Sequence, residues 1–139
     1  DEAGIRASIG EVEALIAREH ERGVPGERIF LAGFSQGGAI ALAAGLRHAE
    51  RLAGIIALST YLPISATLAA ERSAANAATP IFWGHGTADP VVVVRRGTDS
   101  RDALQALGHA VDWHTYPMAH AVCAEEIGDL RHWLGRRLA

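Results

Sequence analysis

The apolar run Ile29-Phe30-Leu31-Ala32 meets the small-residue run Ala39-Ile40-Ala41-Leu42-Ala43-Ala44 across Gly33-Phe34-Ser35-Gln36-Gly37-Gly38. The first run has strand character and the second helix character. A serine stands at their junction with glycine two residues away on either side. To join the two, the backbone must turn within about two residues, which puts Ser35 in strained backbone and crowds strand against helix. Cβ atoms at positions 33 and 37 are expected to clash, so glycine belongs at both. The helix starts at Ser35, and its unpaired N–H groups and positive dipole end face the space beyond the hydroxyl. A serine presented this way reads as a nucleophile, and the Gln36 N–H as the first donor to an oxyanion formed on its substrate.

The rest of the chain alternates in the same manner. Ile5, Ile9, Val12, Leu15 and Ile16 recur at helical spacing and predict an amphipathic helix ending near Gly23-Val24-Pro25-Gly26. Strands are predicted over 27–34, 52–59, 79–84 and 110–116, and helices over 35–48, 94–107 and 125–138, with a loop or short helix through 70–78. In the last helix Ile127, Leu130, Leu134 and Leu138 share a face. This order predicts an α/β parallel sheet with helices on both faces. No repeat, linker or low-complexity stretch divides residues 1–139, so a single domain is expected.

Thirteen cationic side chains, all arginine, against sixteen acidic ones give a net charge of −3, which offers no electrostatic case for nucleic acid or an anionic membrane. No run approaches the ~18 apolar residues of a membrane span. The lone Cys123 excludes an internal disulfide and fits a reducing, cytoplasmic setting. Beside a predicted helix start it reads as an idle thiol, and no cysteine–histidine spacing calls for a metal. The sequence opens at Asp1 rather than methionine, and the expectation is either that the full protein has residues upstream or that this shortened form assembles with a partner.

In a doubly wound sheet the functional loops lie beyond the carboxyl ends of the strands. Three predicted strands lead into Ser35, Asp89 and His120. Acyl transfer needs a hydroxyl, an imidazole to take its proton, and a carboxylate to fix the imidazole tautomer, and Ser, Asp, His is a chain order known for this chemistry. His85 is the competing imidazole, four residues before Asp89, with turn packing as its other role. His20, His48, His109 and His132 fall on helices or at their ends and read as surface residues, while His114 lies inside a strand. For Asp89 the alternative is a helix N-cap. An apolar pocket is expected from Tyr61, Leu62, Val91 and Met118, the last of which could equally be core. Activity should rise with pH as His120 becomes neutral.

Four stretches taken together resemble the phospholipase/carboxylesterase family, which includes bacterial carboxylesterases and acyl-protein thioesterases. They are Gly33-Phe34-Ser35-Gln36-Gly37-Gly38, Ala57-Leu58-Ser59-Thr60-Tyr61-Leu62-Pro63, His85-Gly86-Thr87-Ala88-Asp89-Pro90-Val91-Val92 and Tyr116-Pro117-Met118-Ala119-His120. The resemblance implies an α/β-hydrolase-type sheet, N-terminally truncated. It implies Ser35 as nucleophile, Asp89 as triad acid, His120 as general base, no cofactor, and action on short to medium acyl esters or on thioesters and lysophospholipids. Ala119 stands where the family commonly has glycine. Family members also carry earlier strands and a His-Gly-Leu-Gly type loop that supplies a second oxyanion donor. Without that donor a rate lower by a factor on the order of 10² to 10³ is expected. Uncovered sheet neighbours would favour a homodimer, or a domain with little turnover that acts by association.

Overall fold

A computed structural model describes all 139 residues. Helix α1 (Glu2–Glu21) opens on the Asp1 carboxylate, which accepts the Gly4 N–H at 3.2 Å as an N-cap. Strand β1 (Phe30–Phe34) runs into α2 (Gln36–Arg47), and β2 (Gly54–Leu58) follows. A single-turn helix α3 (Leu68–Glu71) precedes β3 (Ile81–Gly86), α4 (Val94–Ala106), β4 (Val111–Tyr116) and α5 (Ala124–Leu138). The four strands pair in the order β1-β2-β3-β4, all parallel.

The two sheet faces bury different helices. On one face Ala41, Leu42 and Leu46 of α2 and Leu104 of α4 pack on Ile55, Ala57, Ile81 and Trp83. On the other, Trp133 of α5 packs on Ile56 and Phe82, with Phe30, Leu58, Leu130 and Leu134 around it. β1 is an edge strand with Ala32 and Phe34 exposed. An apolar groove of about 320 Å³, lined by Val12, Ile16, Phe30, Ile40 and others, runs beside it between α1 and α2. No helix is long and apolar enough to cross a membrane.

Several expectations need correction. The strand predicted over 27–34 is a 3-10 turn (Gly26–Arg28) followed by β1, because Pro25 and Gly26 restart the chain in a tight turn. Leu15 is 60% exposed, so the buried line of α1 is Ile5 and Ile16. In α5 Ile127 and Leu138 are 50% and 72% exposed, and the buried residues are Glu126 and Trp133. The bulky indole sets the helix rotation, and the apolar spacing of Ile127 and Leu138 is incidental. His48 and His109 are buried, not surface residues.

Glu126 therefore sits against the sheet as a fully buried carboxyl. Gly84 makes room for it, since a Cβ there would collide with Glu126 Oε2. Neither carboxyl oxygen has a partner at good hydrogen-bond geometry, and burial, opposed only weakly by the Cys123 backbone and by His114, pushes its pKa up to about 7. In the unfolded chain the group ionises near the ordinary glutamate range, so the folded state holds a proton that the unfolded state has lost. Stability attributable to Glu126 falls as pH rises through that window and stays low above about 7. His109, whose pKa is lowered by burial and by Arg72, works in the opposite sense at acid pH. The expected result is that Glu126→Gln gains on the wild type as pH is raised from about 5 to 8, by up to roughly 3 kcal/mol. Thermal unfolding of both proteins across this range measures the difference and cancels His109.

Candidate active site

Ser35 connects β1 to α2 with φ 56° and ψ −122°, a left-handed conformation that a non-glycine residue rarely adopts. Its surroundings hold it there. The Ser35 N–H donates to the Leu58 carbonyl at 2.8 Å, and the Thr60 hydroxyl donates to the Ser35 carbonyl at 2.6 Å. That carbonyl also accepts the Gly38 and Ala39 N–H groups, which start α2. The N–H groups of Gln36 and Gly37 thus precede the helix's own ladder.

Glycine is required here, but not at the expected pair of positions. A Cβ on Gly33 would run into the backbone of Gly37 and Gly38, and one on Gly38 would meet Thr60 Cγ2 at 2.8 Å and the Gly33 carbonyl at 2.9 Å. A Cβ on Gly37 meets nothing within 4 Å. The helix approaches the strand through Gly33 and Gly38, and Gly37 faces outward.

Asp89 lies past β3 and His120 past β4. His120 Nδ1 is 2.7 Å from Asp89 Oδ2, and His120 Nε2 is 3.1 Å from Ser35 Oγ. A carboxylate only accepts, so Nδ1 carries the proton and Nε2 faces the hydroxyl with its lone pair. Asp89 is 4% exposed. Burial pushes its carboxyl up, but hydrogen bonds from His120 and from the Val92 and Val91 N–H groups outweigh this and hold it below the usual range. Oδ1 accepts those two N–H groups at 2.9 and 2.8 Å. Asp89 therefore caps a turn with one oxygen and holds His120 with the other, so the N-cap alternative is present in part.

The two loops that carry Asp89 and His120 are tied to one another. Ala88 N–H donates to the Met118 carbonyl at 3.1 Å and Thr87 N–H to the Tyr116 carbonyl at 2.9 Å. A Cβ on Gly86 would collide with the Met118 and Ala119 carbonyls. His85 is fully buried; Trp83 Nε1–H donates to its Nδ1 at 3.3 Å, so its Nε2–H donates to the Val92 carbonyl at 2.7 Å. With both nitrogens engaged, His85 braces the acid loop from inside. Sequence reasoning missed Phe34, whose ring lies 4.7 Å from the His120 ring, and the anchoring role of Thr60.

The four expected pocket residues are spread over three surroundings. Tyr61 stacks beneath Arg96 at 3.7 Å and lines a cavity of about 150 Å³ with Leu62 and Ser100. Leu62 also belongs to the main core, at 8% exposure. Val91 is 65% exposed on the acid loop. Met118 is half-buried and reaches that loop through its carbonyl.

With a parallel α/β-hydrolase-type sheet and a Ser–His–Asp hydrogen-bonded chain past its carboxyl edge, comparison with known proteins becomes informative. The chain belongs to the phospholipase/carboxylesterase family, whose model matches residues 1–137. It is similar to acyl-protein thioesterase 1 of Neurospora crassa, 46% identical over 141 residues that cover 99% of this chain and 58% of the relative. Among solved structures it is similar to SOBER1 of Arabidopsis thaliana, with a TM-score of 0.95 at 31% identity, covering 100% of this chain and 67% of the other. Acyl-protein thioesterase 2 of Zea mays gives a TM-score of 0.86 at 30% identity, with the same coverage. The chain spans about 52–62% of the length of the curated relatives it matches.

The close approach at position 33 generates a contrast between two glycines. Gly33→Ala has no flexible neighbour to displace and should lose about 3 kcal/mol or more. Gly37→Ala, in open space at the first turn of a helix, should stay within about 1 kcal/mol of the parent. Denaturant unfolding of both variants checks the pair.

Proposed function

We propose that this chain is a serine carboxylesterase acting on short to medium acyl esters. The observation that carries the reading is the hydrogen-bonded chain Ser35 Oγ, His120 Nε2, His120 Nδ1, Asp89 Oδ2, with links of 3.1 and 2.7 Å. Ser35 Oγ attacks the ester carbonyl while its proton passes to His120 Nε2. The imidazolium that forms is stabilised by Asp89, whose depressed pKa keeps it ionised at neutral pH. The Gln36 N–H, at the positive end of α2, donates to the oxyanion. Collapse expels the alcohol, protonated by His120, and water repeats the sequence on the acyl-enzyme. No step asks for a cofactor. Tyr61, Val91 and Met118 are the side chains expected to meet the acyl group, and a cytoplasmic setting belongs to the same reading.

A second reading is hydrolysis of acyl-protein thioesters, favoured by similarity to acyl-protein thioesterase 1 of Neurospora crassa. The same residues would serve, since only the leaving group changes. Ser35→Ala should lower p-nitrophenyl ester hydrolysis by at least about 10⁴-fold and abolish fluorophosphonate labelling. Full activity in this variant would overturn the assignment. A matched series of esters and thioesters of increasing acyl length separates the two readings by kcat/KM.

Self-association through the free edge of β1 belongs to the same proposal. Ala32 and Phe34 are exposed beside the apolar groove, and an unpaired parallel edge is a template for another chain. Light scattering on the 139-residue chain should give twice the 14.7 kDa monomer mass. A monomer at every concentration counts against it.

A further inference from the structure

The C-terminal ends of α1 and α2 meet in a cluster of histidines and carboxylates that the proposed reaction leaves unused. His20 lies in the last turn of α1 and His48 ends α2. His20 Nδ1 is 2.8 Å from the Val24 carbonyl, and His48 Nδ1 is 2.7 and 3.1 Å from the two Glu13 carboxylate oxygens. Both partners only accept, so each Nδ1 carries a proton and each neutral ring keeps its lone pair on Nε2. His48 is only 6% exposed, and its Nε2 is buried with no hydrogen-bond partner. His20 Nε2 is buried too; it lies 3.2 Å from Glu50 Oε1, out of line for a hydrogen bond.

We propose that His20, His48 and Glu50 bind a divalent transition-metal ion of zinc's class. One ligand atom from each residue lies within 4.8 Å of the others. Tetrahedral zinc, with bonds of about 2.0–2.1 Å, sets its ligand atoms about 3.3 Å apart. The His20–Glu50 pair already has that spacing. Closing the remainder takes about 1.5 Å of side-chain movement, available to His20 and Glu50, whose side chains are 30% and 64% exposed. Two imidazoles and one carboxylate select zinc or its neighbours over magnesium or calcium, which take all-oxygen shells. Glu13 supplies the outer carboxylate that fixes the tautomer of a ligating histidine.

The backbone beneath the cluster is held rigid. Asn76, fully buried, donates to the carbonyls of both His48 and Glu50 at 2.9 and 2.8 Å. Gly26 comes close enough that a Cβ there would lie 3.6 Å from His20 Cε1. Two helix C-termini aim their negative dipole ends at the same place. The twelve residues of α2 set this cluster about 18 Å from Ser35, so the ion would clamp α1 to the loop after α2 and take no part in acyl transfer.

The test uses the 139-residue chain, stripped with a chelator and titrated calorimetrically with zinc chloride at neutral pH, beside His20→Asn, Glu50→Gln and His120→Ala. The wild type and His120→Ala should each bind one equivalent with micromolar or tighter Kd. Zinc at about a hundredfold excess over Kd should raise their Tm by about 5 to 10 °C. Cobalt substitution should give the visible absorption of a tetrahedral site. His20→Asn and Glu50→Gln should each weaken binding about tenfold or more. Both residues are at least partly exposed, and circular dichroism without metal verifies that each variant folds. Absence of binding in the wild type, or binding that persists in both ligand variants and disappears in His120→Ala, would overturn the proposal.

Discussion

Everything near the nucleophile depends on one backbone bend. Ser35 stands at φ 56° because the strand carbonyl of Leu58 takes its N–H on one side while Thr60, Gly38 and Ala39 all donate to its own carbonyl on the other. A conformation of this kind costs on the order of 1 to 3 kcal/mol and persists only where the surroundings over-determine it. Here they do so through contact as well as hydrogen bonds, since α2 crosses β1 at a distance that only glycine at 33 and 38 permits. The same closeness packs Ala41 against the sheet, and Ala39, Ala43 and Ala44 on the rest of α2 are fully buried. The strain that exposes the hydroxyl and the packing that secures the fold are one arrangement.

The remaining two site residues are positioned by a different device. Asp89 and His120 come from adjacent strands, and their loops are joined by main-chain hydrogen bonds across Gly86, not by the triad contact alone. The buried imidazole of His85 fastens the far end of the acid loop at Val92. The His120–Asp89 link is therefore built into the scaffold before any substrate arrives, which is what electrostatic preorganisation requires. Phe34 against the His120 ring then limits how far the base can swing from Ser35.

The parallel sheet, the helix alternation and the residues of the hydrogen-bonded chain were legible because each has a local signature: period, turn chemistry, or residue type at a strand end. What stayed hidden depends on three-dimensional neighbours. Gly37 and Gly38 are indistinguishable as letters, yet only Gly38 meets Thr60. The rotation of α5 follows from where Trp133 docks between Phe30 and Phe82, so Ile127 is exposed and the acidic Glu126 is buried. His48 reads as a helix-end polar residue, and only the packing of α1 over α2 takes it out of solvent. Pocket residues were the least legible, because Leu62 serves the core and Val91 faces water for reasons no spacing rule contains.

Helix α2 links the two sites by its polarity. Its first unpaired N–H groups concentrate partial positive charge beside Ser35, where negative charge develops on a substrate oxygen. Its last carbonyls concentrate partial negative charge at the other end, beside His48, where two imidazoles and two carboxylates converge. The C-terminus of α1 adds to the same field, and Arg47 divides its nitrogens between the Ala43 carbonyl of α2 at 3.2 Å, the Ile64 carbonyl at 3.1 Å and Glu71 at 2.8 Å. That pairing, reinforced by Thr67 and Arg6, holds the Glu71 carboxyl at about 2, so it keeps its charge and its hold on Arg47 at any ordinary pH. A cation at the His20–His48–Glu50 cluster would thus add to the one contact that Arg47 makes with the carbonyls at this end of the helix.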